Sequence, residues 1–327
     1  MSSPSSSSSQ ILPPELWDII LDHLHDERST LLASSLVCRS WVPTCRLHLF
    51  PSLSLSPKHI PRAVSIDALL ANPHSTIRSA VRALSLPGAL SPIQLLHTRN
   101  GSILTTFTFA ALLPNLARHL PRVTELALSD YPWPLLTSLK TVERLTLTGV
   151  CAGPALLRVV DALPLLAELR LENVTAIPYR GGNCGLNEKL RLPTALQKLS
   201  IHGSSIAFLG WLESRFAPSL IALSIDTLVS HELHYLGEYL RTVAGTLQEL
   251  ELAFFDVDPL DALALPTLLE PCMNLKILRL HFSSVEDARA FLAFGGQEPC
   301  ASGIEIEIVA EEGVRIAGDL GALSDQI

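Results

Sequence analysis

Two histidine patterns in this sequence contain residue types that could bind a metal. His231-Glu232-Leu233-His234 has its histidines three residues apart, whereas a zinc-binding His-Glu-x-x-His helix needs them four apart. His23 and His25 are two residues apart, so on a helix they point away from each other. The first pattern is therefore interpreted as a polar helix face, the second pair is poorly placed to share one metal, and no metal site is predicted.

Nucleophilic and phosphate-binding chemistry is also poorly supported. The loop Gly181-Gly182-Asn183-Cys184-Gly185 lacks the Lys-Ser/Thr that completes a phosphate-binding loop, so a flexible turn is expected. Cys184 has no base beside it in the sequence that would support a nucleophile, and there is no Gly-x-Ser-x-Gly elbow. We therefore predict a protein that is not an enzyme and needs no cofactor.

The cysteines and the termini indicate a cytoplasmic or nuclear protein. The six cysteines are scattered without a Cys-x-x-Cys pair, which favours reduced thiols. Seven of the first ten residues are Ser, without the basic and apolar regions of a secretory signal, so residues 1–10 are predicted to be a disordered tail. No run of 18 apolar residues occurs, and no membrane association is predicted.

Composition narrows the class of protein further. The chain has 327 residues, of which 64 are Leu, about twice ordinary usage. A net charge of -8 argues against nucleic-acid binding, which requires many Lys and Arg on one surface. With 48% hydrophobic and 17% charged residues, most of the chain must fold. Many leucines and few aromatics predict repetitive packing of aliphatic side chains.

Residues 11–51 form a first compact unit of three predicted helices. Pro14 suits the first turn of a helix on which Leu16, Ile20 and Leu24 make one apolar stripe. Ser29 is predicted to cap a second helix that runs from Thr30 to about Leu36. Ser40 is predicted to cap a third helix, with Pro43 in its first turn. So short a unit must lean on a neighbouring domain or partner.

This unit resembles the F-box, in the form abundant in mushroom-forming fungi. The resemblance rests on Leu12-Pro13-x-Glu15, then Ile20 and Leu24, then Leu31 or Leu32, then Val37-Cys38-Arg39-x-Trp41, then Leu49-Phe50. Two positions depart from the family: Pro43 in the third helix, and Phe50 where the family often has Trp. A plain helical hairpin would also bury these apolar residues, but it does not explain why the two motifs occur together at this spacing.

The resemblance implies docking onto the Skp adaptor of Skp–cullin–F-box ubiquitin ligases, and through that adaptor onto a cullin. The residues that would contact the adaptor are Leu12, Pro13, Leu16, Ile20, Leu24, Val37, Cys38 and Trp41.

A Leu-x-x-Leu-x-Leu pattern recurs through residues 52–327. Its central residues are Leu84, Leu126, Leu145, Leu169, Leu199, Leu223, Leu250, Leu278 and Ile306, with a possible first copy at Leu53. From Leu126 onward the intervals are 19 to 30 residues, in or near the range of leucine-rich repeats, which these copies resemble. Each copy predicts a short strand, and the segments between strands predict helices. We therefore predict an α/β fold in which an irregular solenoid, with parallel strands inside and helices outside, follows the helical F-box.

The residues between the leucines are predicted to face the concave side of the sheet and to bind a target protein. The charged and histidine members of this strip are Glu125, Arg144, Glu168, Arg170, Lys198, His202, Asp226, Glu249, Glu251, Arg279 and His281. Both signs of charge occur, which suits a protein ligand better than a phosphate backbone. Any single one of these residues could equally be an ordinary solvated sheet position.

Together these features predict the substrate-recognition subunit of a Skp–cullin–F-box ubiquitin ligase. The F-box would bind the adaptor and the repeats would bind a target. The alternative is a non-catalytic interaction scaffold that acts outside any ligase.

Overall fold

A computed structural model gives the architecture of most of the chain. The structure describes residues 12–55, 60–86, 115–129, 139–149, 151–152, 154–173, 175–176, 193–203, 219–256, 265–284, 286–289, 304–310 and 315–318. The predicted Ser-rich tail and the Gly181–Gly185 loop lie outside these residues.

Three helices open the described chain and enclose a small core. They are α1 (Pro14–His23), α2 (Arg28–Val37) and α3 (Val42–Leu49). Their buried side chains are Leu21, Leu31, Cys45 and Leu49, with Leu24, Trp41 and Phe50 packed against them. Helix α3 contacts both other helices.

Two polar contacts join α1 to α3. On each helix the two residues involved are four positions, about one turn, apart. The Thr44 hydroxyl donates to Asp18 Oδ1 at 2.6 Å, and His48 Nε2 lies 2.7 Å from Asp22 Oδ1. The i, i+4 spacing on each helix places both pairs on facing edges. The hydrophilic edge of α1 thus contacts α3, and its apolar residues are divided between the small core and solvent.

The predicted helix starts are partly wrong. Helix α2 begins at Arg28 with Glu27 as its N-cap, so Ser29 lies inside the first turn instead of capping it. Helix α3 begins at Val42 after Trp41, and no side chain caps it. Glu27 and Trp41 replace the predicted serines because their carbonyls accept the first helical hydrogen bonds, from Leu31 and Cys45, at 2.9 Å each.

After these helices the chain forms an eleven-stranded sheet. Its first ten strands are parallel and follow chain order. A final strand, Arg315–Gly318, pairs antiparallel with the tenth. The strands are β1 (Ser52–Ser54), β2 (Ala83–Leu86), β3 (Glu125–Ser129), β4 (Arg144–Thr148), β6 (Glu168–Glu172), β8 (Lys198–His202), β9 (Ala222–Val229), β10 (Glu249–Asp256), β11 (Ile277–Phe282), β12 (Glu305–Ala310) and β13 (Arg315–Gly318), while β5 (Cys151–Ala152) and β7 (Thr175–Ala176) pair separately.

The strand register confirms the repeat pattern read from the leucines. Leu84, Leu126 and Leu145 are Cα partners on successive strands, and the same row continues to Ile306. Every predicted strand centre, including Leu53, lies in a strand. The repeated leucines are nearly fully buried because they all point to one side of the sheet, where they pack in rows.

Helices cover the leucine side of the sheet, as predicted. They are α4 (Ile60–Ala71), α5 (Pro154–Asp161), α6 (Leu233–Val243) and α7 (Leu265–Leu269), with further helical residues at 115–119 and 286–289. Leu156 of α5, Leu236 and Leu240 of α6 and Leu265 of α7 join the strand leucines in one continuous core. In the part of the chain that is described, no helix is long and apolar enough to cross a membrane.

Four consecutive repeats have a left-handed residue at or near the end of the strand. Gly149 has φ 71°, Asn173 φ 51°, Gly203 φ 102° and Thr227 φ 65°. At Thr227 the left-handed residue is a β-bulge inside β9, where the register to β10 shifts. Strands β9 and β10 are eight residues long, against five in β3, β4, β6 and β8. This is where the expected irregularity of the solenoid lies.

Candidate functional site

The N-terminal helices expose a set of large apolar side chains. On α1, Leu16 is 43% exposed, Ile19 52% and Ile20 41%, and Leu12 just before it is 40% exposed. At the end of α2, Leu36 is 88% exposed and Val37 71%. We call these six residues the apolar face. Leu32 of α2 and Leu47 of α3 are also exposed, at 47% and 40%. Large exposed apolar side chains on so small a unit are candidates for contact with a partner.

The remaining predicted adaptor contacts divide between surface and core. Pro13 and Cys38 are exposed, whereas Leu24 and Trp41 are half-buried against the small core. The ring centroids of Trp41 and Trp17 lie 4.6 Å apart. The Trp41 ring therefore has a structural contact as well as a partly open edge.

Two members of the apolar face, Ile19 and Leu36, were not predicted from the sequence. Ile19 belongs with Leu16 at i, i+3, a spacing that could have revealed it. Leu36 had no such signal, because its exposure depends on where α2 packs against α3.

All eleven predicted target-binding residues lie on the side of the sheet opposite the leucine core, which we call the open face. Their side chains are half-buried or exposed, in alternation with buried leucines. The strand period of two residues produces this separation.

Many charges of the open face are paired across neighbouring strands. Arg144 contacts Glu125, His202 Nδ1 lies 3.0 Å from Asp226, His281 Nε2 lies 3.0 Å from Glu251, and Arg279 Nε lies 3.1 Å from Glu307. Arg170 instead pairs with Glu172 on its own strand at 2.9 Å. Half-exposed pairs of this kind contribute little to stability, so a ligand can compete for them.

Four charged residues of the open face, all in one cross-strand row, form no ion pair with any described residue. They are Glu168, Lys198, Glu249 and Glu305. Glu168 and Lys198 are Cα partners on adjacent strands, and Glu249 and Glu305 are partners of Ile277 on either side.

A shallow groove of about 260 Å³ lies over the first strands of the open face. Its floor consists of small residues such as Ser54, Ser85 and Ala127, and Arg144 and Arg170 line one part. The groove is open and has both polar and apolar lining residues, which suits a polypeptide segment better than a small enclosed ligand.

The histidine patterns lie at the end of α1 and at the start of α6. Among the described residues, no group of three or more His, Cys, Asp or Glu could hold a metal ion. Glu232 is fully buried, and its carboxylate accepts from the Val229 amide at 3.1 Å, which stabilises the start of α6.

Three described cysteines are free thiols with different environments. Burial raises the pKa of the Cys45 thiol, and raises that of Cys272 to about 11. The hydrogen bond with the Ser40 hydroxyl, helped by backbone amides, lowers the pKa of the exposed Cys38 thiol. Cys38 has no adjacent base among the described residues that would make it a nucleophile in catalysis.

Comparison with known proteins identifies no family: no family model matches the chain and no curated protein matches it. Among solved structures, the leucine-rich repeat-containing protein LegL7 from Legionella pneumophila is similar over 81% of this chain and 92% of that one. The two are 16% identical with a TM-score of 0.33. So low a score carries no conclusion, and the leucine-rich-repeat architecture rests on the strand register and the leucine rows.

Proposed function

We propose that this protein is the substrate-recognition subunit of a Skp–cullin–F-box type ubiquitin ligase. In this proposal the apolar face binds the Skp adaptor and the open face of the sheet binds a target protein. The chain itself performs no chemistry.

The observation that carries the proposal is the apolar face. Covering a half-exposed Leu or Ile stabilises a complex by on the order of 1 kcal/mol, so six such residues can sustain a specific interface. Each of the two motifs that resemble the F-box has an exposed apolar residue, Leu12 in the first and Val37 in the second, which supports the proposal.

The mechanism would be proximity. Binding to the open face would hold the target close to the conjugating enzyme that the cullin carries. The effective concentration of the target's lysines at that enzyme would therefore be high. The long sheet supplies a rigid platform for this, because ten parallel strands share one continuous core with the helices behind them.

The alternative is a leucine-rich-repeat scaffold that uses the same surfaces outside a ligase. Both versions require adaptor binding or another helical partner at the apolar face. They differ in whether a cullin co-purifies through the adaptor.

The first test is co-purification of the full chain with the Skp adaptor of its host, for the natural sequence and for Leu16→Asp/Ile20→Asp. A charge on either side chain would be buried in the complex without a partner, so we expect at least about a tenfold loss of affinity. The matched control is Leu165→Asp. Leu165 is exposed to a similar degree, 52%, but lies just before β6, far along the chain from α1.

The outcomes separate the possibilities. Adaptor binding that survives the double substitution would overturn the assignment of the apolar face. No binding by the natural chain would exclude the F-box role. Binding to the adaptor without recovery of a cullin would favour the scaffold.

A further inference from the structure

We infer that a depression at the edge of the sheet where β9, β10 and β11 begin binds a carboxylate group of a polypeptide. Its volume is about 520 Å³. The small and polar residues that line it are Ser219, Gly245, Thr246, Gln248, Asn274 and Lys276. The depression belongs neither to the apolar face nor to the open face, so this site is additional to the proposed function and does not depend on it.

A glycine opens the depression. Gly245 and Met273 occupy the same place in consecutive repeats, two residues before the buried Leu247 and Leu275. Met273 is 76% exposed, whereas a Cβ on Gly245 would meet nothing within 4 Å. The lining residues come from the starts of three neighbouring strands, so the depression spans two strand spacings, roughly 9.6 Å. That is wide enough for one polypeptide segment.

Lys276 and Gln248 give the depression its hydrogen-bond donors. Lys276 Nζ donates to Gln248 Oε1 at 2.9 Å. This bond leaves the Gln248 Nε2 group free to donate, and the ammonium keeps two further N–H groups. Lys276 is exposed and forms no ion pair with any described residue, and no acid is among the residues that line the depression. The pair therefore offers neighbouring donors and one positive charge that is not compensated locally.

These donors match a carboxylate better than a phosphate. One positive charge balances a carboxylate, whereas a phosphate ester carries a charge of about -1.5 to -2. The ammonium and the neighbouring amide can each donate to one oxygen of a planar carboxylate. Hydrogen bonds of this charge-assisted kind are the stronger ones.

The remaining polar groups of the depression are acceptors, which favours a peptide over a simple organic acid. Asn274 Nδ2 donates to the Gly245 carbonyl at 2.6 Å, so its Oδ1 is left to accept. The hydroxyls of Ser219 and Thr246 both donate to main-chain carbonyls, so their oxygens also keep lone pairs. Main-chain N–H groups of a peptide supply the donors that these acceptors need, beside the carboxylate that Lys276 needs.

The test uses the full-length chain and a display library of random 12-residue peptides as the probe. Selection on the natural chain is followed by counter-selection against Gly245→Phe, whose ring fills the depression. This step removes peptides that bind elsewhere on the protein. We expect the remaining peptides to be enriched in Asp and Glu over Lys and Arg. The Kd of an enriched peptide, measured by fluorescence anisotropy, should be weakened at least about fivefold by Lys276→Gln.

Lys140→Gln is the matched control, because Lys140 is also an exposed lysine in the turn before a strand, but it precedes β4 and lies outside the depression. It should change the Kd less than twofold. Two altered peptides identify the source of the carboxylate. Weaker binding after amidation of the C-terminus assigns it to the terminal carboxylate, and weaker binding after replacement of Asp and Glu by Asn and Gln assigns it to a side chain.

Several results would overturn the inference. They are the loss of every peptide in the counter-selection, enrichment of basic or purely apolar peptides, equal effects of Lys140→Gln and Lys276→Gln, and a Kd that neither altered peptide changes. Thermal unfolding checks that Gly245→Phe is folded. If it is not, Lys276→Glu replaces it in the counter-selection, because that substitution reverses the charge on which the site depends.

Discussion

At the scale of single residues, Tyr239 of α6 combines deep burial with an unpaired hydroxyl. Its side chain is fully buried, and its Oη atom has no hydrogen-bond partner in the described structure. Burial raises the pKa of Tyr239, because the phenolate form would have no solvation there. The ring packs among leucines while the hydroxyl is a desolvated polar group.

We expect Tyr239→Phe to raise the free energy of unfolding by about 1 kcal/mol, because it removes an unsatisfied polar group and keeps the ring. Urea unfolding followed by circular dichroism measures the difference. Tyr235→Phe is the control: Tyr235 is partly exposed on the same helix and should change stability by less than about 0.5 kcal/mol. A loss of stability on Tyr239→Phe would mean that the hydroxyl has a partner, such as a bound water.

Asp226 shows how one residue fixes the end of a repeat. Its carboxylate accepts from the Gly203 amide at 2.5 Å and from the Thr227 hydroxyl at 3.1 Å, and His202 Nδ1 lies 3.0 Å away. Asp226 therefore links β8 to β9 at the point where the bulge begins. Thr227, a β-branched residue at positive φ, is held there by these contacts.

At the scale of elements, the left-handed residues at the strand ends set where each chain segment leaves the sheet. The Gly149 amide donates to the Glu172 carbonyl at 2.8 Å, and the Asn173 amide donates to the His202 carbonyl at 2.7 Å. Each turn thus continues the strand pairing by one bond after the leucine row has ended. Gly and Asn adopt this conformation most easily, which explains their occurrence there.

We expect Gly203→Ala to lower the free energy of unfolding by about 1 to 2 kcal/mol, because φ 102° is strained for any residue with a Cβ. Thermal unfolding of the two proteins measures the effect. Gly245→Ala is the matched control, since a Cβ at Gly245 meets nothing within 4 Å and its φ is not in the left-handed range. Equal effects of the two substitutions would show that the turn is not what determines the cost.

At the scale of the whole molecule, two hydrophobic cores of very different size share one chain. The N-terminal helices enclose four buried side chains, whereas the sheet and its helices form one continuous core from Leu55 to Ile308. Strand β1 directly follows α3, and the Arg46 guanidinium donates to the Thr76 hydroxyl, so the two parts are in contact. A small core that depends on so few side chains gives the N-terminal helices a low local stability.

Hydrogen exchange should therefore separate the two parts. We expect amides of α1 to α3 to exchange at least about tenfold faster than those of β4, β6, β8 and β11, because local unfolding of the small core costs less free energy. The proposed binding of the Skp adaptor to the apolar face predicts slower exchange in α1 and α2 when the adaptor is added, with the strands unchanged. Equal protection in both parts would mean that they unfold as one unit.

The period of the leucines was sufficient to predict the ten parallel strands, their order and the side that their residues face, but not the antiparallel β13 or the separate pair of β5 and β7. This worked because alternation along a strand is a local property, and rows such as Leu84, Leu126 and Leu145 repeat it. The three N-terminal helices were also predictable from spacing and Pro positions. Their caps were not, because Ser29 and Ser40 compete with carbonyls whose position depends on the chain fold.

Only the tertiary structure shows which charged residues of the open face are already engaged in ion pairs and which residues of the N-terminal helices are exposed. Arg279 and Glu307 are 28 residues apart and meet only through the register of β11 and β12, while Glu249 and Glu305 form no ion pair with any described residue. Sequence pattern determined the faces of the strands and helices, since backbone geometry fixes that locally. Pairing and exposure depend on neighbours that come from distant repeats, and only the packed structure brings them together.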